Sequence, residues 1–335
     1  MNRNYGMFGI GVQTGSAAAD PAASFPASSD SPGIDASTTS APARVTNGRR
    51  DTTIDRYISG SESKATVTTL AFPRMLGLLL YSALGRVSTT GSGPYTHDVT
   101  MGESIPALTF TQQVGASDAA LQTLDGCKVN NVTIEAEGTT PPSVQMELAG
   151  CAAKWLAGTS WQGQAFDESE GYYRTTDAEV LFSLTDGEAV AVPASVVLSK
   201  LTLGIANNVT AGTGFGEVEP KIQQEGAATV TCSLEGTTDS TELYRAVKTG
   251  SASGTEIAKT IVTGALQVTF QHSRNAAWSF TAKLPAIPWT IEAMNVSVEG
   301  GPFDLRLSTD GAIAVDGTSI EFLVVNGVAS YASQG

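Results

Sequence analysis

Residues 124–138 read LDGCKVNNVTIEAEG, and three different proteins are contained in those letters. Asn131-Val132-Thr133 is a glycosylation sequon, the mark of a surface loop in a secreted protein. Cys127, with Cys151 further on, would suit a disulfide or a metal site. Val132, Ile134 and Ala136 alternate with Thr133, Glu135 and Glu137, the period of two expected of a half-buried strand. After the Thr-Thr-Pro-Pro break at 139–142, Val144, Met146 and Leu148 alternate with Gln145 and Glu147 in the same way. The spacing predicts an antiparallel pair over 129–137 and 143–149 joined by a short loop. Its polar face carries Glu135, Glu137 and Glu147, with no Lys or Arg on that hairpin face; the plain reading of such a row is a solvated surface.

The bulk composition favours the strand. The chain has 335 residues, room for two domains with cores of their own. Charged residues make up only 16%, and Thr, Ser, Gly and Ala fill the difference, as in proteins built of many short strands and turns. Lys and Arg number 19 against 33 Asp and Glu, a net charge of −14, so the cationic footprint of a nucleic-acid binder is missing. Three cysteines are too few for a disulfide framework. The opening MNRNYGMFGIGVQTGS lacks the apolar core of a signal peptide. The most apolar run, AFPRMLGLLLYSALG at 71–85, contains Arg74 and falls short of the roughly twenty residues needed to span a bilayer. It predicts a short amphipathic helix packed on a sheet. Synthesis in a reducing cytoplasm follows, with the sequon unused and no membrane association.

Self-similarity decides the organisation. Ala65-Thr66-Val67-Thr68 returns as Ala228-Thr229-Val230-Thr231, Thr109-Phe110 as Thr269-Phe270, and Asn131-Val132-Thr133-Ile134-Glu135 as Asn295-Val296-Ser297-Val298-Glu299. The matches keep their order and nearly the same offset. Each half opens with strand-like sequence and a long Gly/Ser/Ala/Pro-rich loop, at about 14–48 and about 205–225. The ATVT strand and one helical stretch come next, at 72–84 and, more briefly, at 241–248, where Gly250 stands beyond the end. Two copies of one β-rich domain are expected, 1–165 and 166–335, joined within 160–173.

Catalytic constellations are scarce. The two histidines stand in Thr96-His97-Asp98, where strand geometry sends neighbours to opposite faces, and in QHSRN, expected to be a turn around His272. Ser61-x-x-Lys64 leads into a strand instead of opening a helix. AGTGFG at 211–216 lacks the Lys-Ser/Thr of a phosphate loop. Cys127, Cys151 and Cys232 form no Cys-x-x-Cys pair, and Cys232 keeps the apolar register of Val230 and Leu234. No enzyme, cofactor or metal is expected.

In order along the chain come GIGVQTGSAAADP, a Ser/Pro/Ala arm, Arg49-Arg50, SGSESKATVT, LGLLLYSALG, PALTFTQQ, LDGCKVNNVTIEAEG and SVQMELAG. This succession resembles the tail tube (major tail) proteins of long-tailed bacteriophages, through most of the first half and again, more patchily, in the second. The resemblance implies β-sandwich or half-barrel domains, each with a flanking helix. Their sheets join around a ring, and the rings stack into a hollow tube through which DNA leaves the virion. Six domains per ring is the family arrangement, so two fused copies imply a homotrimer with pseudo-hexameric symmetry. The shorter second helix leaves open a homohexamer whose second half is an outward decoration. Implied partners are further copies of the chain, a tape-measure protein, a tail terminator, distal tail proteins and the transiting DNA; the implied place is the virion tail. An acidic, base-poor lumen would suit DNA transit, which makes Glu135, Glu137 and Glu147 the candidate lumen residues. Two other readings share these features: a capsid decoration or baseplate module, and a carbohydrate-active enzyme on a β scaffold. The second needs paired acids across an aromatic cleft, and the sequence offers acids without the aromatics.

Overall fold

The computed structural model describes residues 6–13, 23–25, 33–44, 53–114, 120–150, 152–156, 170–184, 190–191, 196–292 and 302–331. The fold is mainly β, with antiparallel sheets and, among the described residues, two helices. In chain order the first half contains β1 (Gly6–Val12), β2 (Ala23–Phe25), β3 (Gly33–Arg44), β4 (Thr53–Leu70), helix α1 (Pro73–Leu84), β5 (Gly85–Thr90), β6 (Tyr95–Met101), β7 (Leu108–Val114), β8 (Ala120–Glu137), β9 (Ser143–Gly150) and β10 (Ala152–Leu156). The second half continues with β11 (Tyr173–Phe182), β12 (Val190–Ala191), β13 (Val196–Ala206), β14 (Thr210–Gly212), β15 (Ile222–Gln224), β16 (Thr229–Thr238), helix α2 (Glu242–Thr249), β17 (Thr263–His272), β18 (Ser279–Pro288), β19 (Thr290–Ile291), β20 (Phe303–Thr309) and β21 (Glu321–Asn326).

The stretch at 124–138 is strand as far as Glu137, with Gly138 opening the turn. It belongs to β8, which changes partners at its middle, where Gly126 takes a positive φ of 62°. Before that point β8 lies between β7 and β10; after it, β8 lies between β9 and β13. The expected β8–β9 pair forms with Ile134 opposite Val144 and Val132 opposite Met146. A register shift falls between Val129 and Asn131, so Asn130-Asn131 marks a β-bulge inside the strand. Cys127 is a buried thiol that donates to the Leu108 carbonyl at 3.1 Å, and Cys232 is buried in the other half. Cys151, the loop at 14–22, the join at 157–169 and the repeated motif at Asn295 lie outside the described residues.

The strand pairings repeat. β1 lies between β2 and β7, as β11 lies between β12 and β17. β7 pairs β8, which pairs β10, as β17 pairs β18, which pairs β21. β4 pairs β9, as β16 pairs β20. A hairpin arm precedes the ATVT strand each time: β3 with the start of β4 in the first half, β14 with β15 in the second. Thus the two long loops expected from composition contain paired strands, although the first contains a 12-residue one and the second only three-residue ones.

The halves interlock across the 165/166 boundary. β13 pairs β8 from Lys200 opposite Glu137 to Ala206 opposite Asn131. β21 pairs β6 from Glu321 opposite Thr100 to Asn326 opposite Tyr95. A 12-stranded sheet and a 7-stranded sheet therefore each draw on both halves. Helix α1 touches β5, β6, β8 and β21. Every one of its residues but Arg74 and Tyr81 is buried, so it is apolar all round and lies in the core, instead of resting an amphipathic face on a sheet. Gly85, at φ 87°, ends it in the left-handed conformation that favours glycine. Helix α2 buries only Ala246 and Val247 and flanks its half as expected.

Two buried polar knots close the join. Asn207, just after β13, donates its side-chain amide to the carbonyls of Ala83 at 2.9 Å and Val129 at 3.0 Å, one in α1 and one in β8. Asn326 donates to the carbonyl of Pro73 at 2.7 Å and to the Tyr331 hydroxyl, while its oxygen meets His97 Nε2 at 3.2 Å. Such groups are costly to bury unless they are satisfied, and here each satisfies groups from the other half.

Candidate functional site

Among the described residues no concave site gathers chemical groups; what the two halves jointly build is a polar sheet face. Following the pairings, strands run in the order β3-β4-β9-β8-β13-β16-β20-β19. On the inner side, Val67, Met146, Leu148, Val132, Ile134, Leu203, Cys232, Leu234 and Leu307 are buried. The alternate residues form the outer side, and their cross-strand rows can be read directly from the register.

The central row is Thr68, Gln145, Thr133, Gly204 and Thr231, without a charge. Gly204 is required there by close approach, since a Cβ would come within 2.4 Å of Thr231 Oγ1. With Ala206 it leaves a shallow depression of about 230 Å³ bordered by Asn131, Gln145 and Glu147. On one side of this row stand Thr66, Glu147, Asn131, Ala206 and Thr229. The sequon asparagine has a local task, donating its side-chain amide to Glu147 at 2.6 Å. On the other side comes Leu70, Ser143, Glu135, Thr202, Ser233, Ser308 and Thr290, followed by the charged row Glu137, Lys200, Glu235 and Arg306.

The structure thus brings Glu135, Glu137 and Glu147 to one face, as the alternation predicts. The purely acidic row expected of the hairpin is corrected by its neighbours. Lys200 of β13 pairs with Glu135 and, at 3.4 Å, with Glu137, and hydrogen bonds to these carboxylates hold its ammonium above the usual lysine range. Arg306 pairs with Glu292 at 3.6 Å. At the opposite end Lys128 pairs with Glu225. The face is one of small hydroxyls with alternating charge at its margins. Sequence reasoning missed Lys200 because no local signal gives the strand that will lie beside β8; only the pairing across the halves places it.

The other chemical candidates dissolve into packing. His97 is fully buried between Thr89 Oγ1 at 2.9 Å and Asn326, with burial holding its imidazole below the ordinary range, and Asp98 points to the opposite face. His272 closes β17, so it is a strand residue and not a turn residue. Its Nδ1 accepts from the backbone of Arg274 and Asn275 at 3.2 and 2.9 Å, and burial lowers it too. Ser61 and Lys64 lie within β4, and the glycines at 212–216 cap the β14–β15 arm with Phe215 at its exposed tip. Among the described residues no group of His, Cys, Asp and Glu is placed to hold a metal ion. No helix among them is long and apolar enough to cross a membrane. Neither a known family model nor any of the curated proteins compared matches this chain.

Proposed function

We propose that this chain is a structural protein whose copies join sheet edge to sheet edge into rings, and that the rings stack into a hollow tube of the kind that carries DNA through a long phage tail. One observation carries the reading: a single polar sheet face runs unbroken from the first half into the second through β8 and β13, and its terminal strands, β3 and β19, each pair with only one strand among the described residues. Open edges are hazards in a lone protein and are useful in one that adds copies of itself. The β8–β13 junction supplies, within one chain, a sample of the contact that copies would make with one another.

Because both halves contribute strands to the same face, the arrangement favours three copies supplying six repeats over six copies with the second half turned outward. The polar face then lines the channel, with Glu135, Glu137 and Glu147 on it. Its hydroxyl rows offer DNA little to hold, and Lys128, Lys200 and Arg306 on it are engaged with carboxylates. The protein acts without chemistry of its own, made in a bacterial cytoplasm and ending in the virion, where a tape-measure protein and DNA would occupy the channel and terminator and distal tail proteins its ends.

Electron microscopy of the purified full-length chain over rising concentration tests this. Rings of threefold or pseudo-sixfold symmetry that stack into hollow filaments are expected. Particles that stay single copies throughout would overturn the reading, and closed particles that never stack would point to a decoration or baseplate module.

A further inference from the structure

The repeat exposes a contact that is made once within the chain and is open at its equivalent place. In the second half, β21 pairs β18 on one edge and receives β6 on the other. That visitor belongs to the β5–β6 hairpin, which follows α1 of the first half after the left-handed Gly85. In the first half, β10 occupies the position of β21: Ala153 stands opposite Leu124, which stands opposite Phe110, just as Val324 stands opposite Phe280, which stands opposite Phe270. The outer edge of β10 pairs with no strand among the described residues, and Trp155 there is 68% exposed.

The segment that would reach that edge is given by the same correspondence. Helix α2 ends at Gly250, left-handed like Gly85, and the chain then runs through 251–262 to β17. Residues 255–262 read TEIAKTIV, rich in the β-branched residues that favour strands, yet they form none. Ile257 is 80% and Ile261 74% exposed. A strand-prone segment held irregular with two isoleucines in water, and an open strand edge bearing an exposed tryptophan, are complementary halves of one β-addition.

We infer that residues 255–262 of one copy add to the β10 edge of a second copy, covering Trp155 with Ile257 and Ile261. The contact is heterologous and has the same sense as the β6–β21 contact inside the chain, so repetition propagates from copy to copy instead of stopping at a pair, as a ring requires. It rests on the proposal that the chain assembles with itself, and names a second seam of that assembly, separate from the polar sheet face.

The test uses the full-length chain with Cys151→Ser as background, carrying Trp155→Cys, Ile261→Cys or both, treated with a flexible bismaleimide after assembly. Only the double variant is expected to give a ladder of covalently joined copies on a denaturing gel. A second variant, Ile257→Glu with Ile261→Glu, alters only exposed positions, and it is expected to raise the concentration for half-assembly at least tenfold while leaving the thermal transition of the single copy in place. Rings or filaments by microscopy without a ladder from the double variant, or with unchanged half-assembly in the charged variant, would overturn this seam and leave the wider reading standing. A chain that stays a single copy by sedimentation would overturn both.

Discussion

The two halves use the same strand order to opposite ends. In the first half the helix is swallowed by the core and the arm before it is long; in the second the helix lies outside and the arm is a stub. The difference lies in what each piece contacts. Helix α1 meets strands of both halves, so the first half carries the joint, whereas α2 packs chiefly on β19 of its own half. A repeat that fuses two copies need keep only one of them as the keystone, and the other is free to shed apolar surface.

The comparison breaks most sharply at the helices. Leu80→Ala removes a fully buried side chain of α1 and should cost about 2–5 kcal/mol, whereas Val247→Ala in α2 should cost about 1 kcal/mol. Urea denaturation compares them; equal losses would mean that α1 is no keystone. Next is the polar knot at Asn207. Asn207→Ala strands the Ala83 and Val129 carbonyls in the core and should cost about 1–3 kcal/mol. Asn208→Gly, which keeps the left-handed φ of 49° and loses an amide bond to the Ala227 carbonyl at an exposed site, should cost less in the same measurement.

The histidines sharpen it further. His97 joins the halves, His272 belongs to the second alone, and burial holds both below their ordinary value of 6.5. Unfolding lets them take up protons below about pH 6.5, so the stability they contribute at neutral pH is lost as pH falls from there. The melting temperature should drop between pH 7 and pH 5, and His97→Gln should lessen the slope. The smallest effect belongs to Lys200→Gln, which removes a solvent-screened ion pair between the halves and should leave the urea midpoint nearly unchanged.

Much of this was legible beforehand, and the gaps share one cause. The alternation at 129–149 gave both strands of the pair and the face of each glutamate, because a period of two is a local property. The ATVT and Thr-Phe matches gave the repeat, since β4 and β16, and β7 and β17, do hold equivalent places. What stayed hidden was every contact between halves: Lys200 beside Glu137, Asn326 beside His97, and the burial of α1 on both faces. Strand partners leave no mark on one another's sequence. The task of Asn131 was hidden for the same reason, because the need for it comes from Glu147 across the ladder.

The interlocking also sets a timetable for synthesis. His97 meets Asn326 across 229 residues of chain, which a ribosome adding about 5–20 residues each second takes roughly ten to forty-five seconds to deliver. Through that interval the β5–β6 hairpin must wait with one edge bare and an imidazole without its final partner. The nascent first half is thus a sticky intermediate by construction. In a cell making many copies at once, a newborn chain has to find its own β21 before it meets a neighbour's.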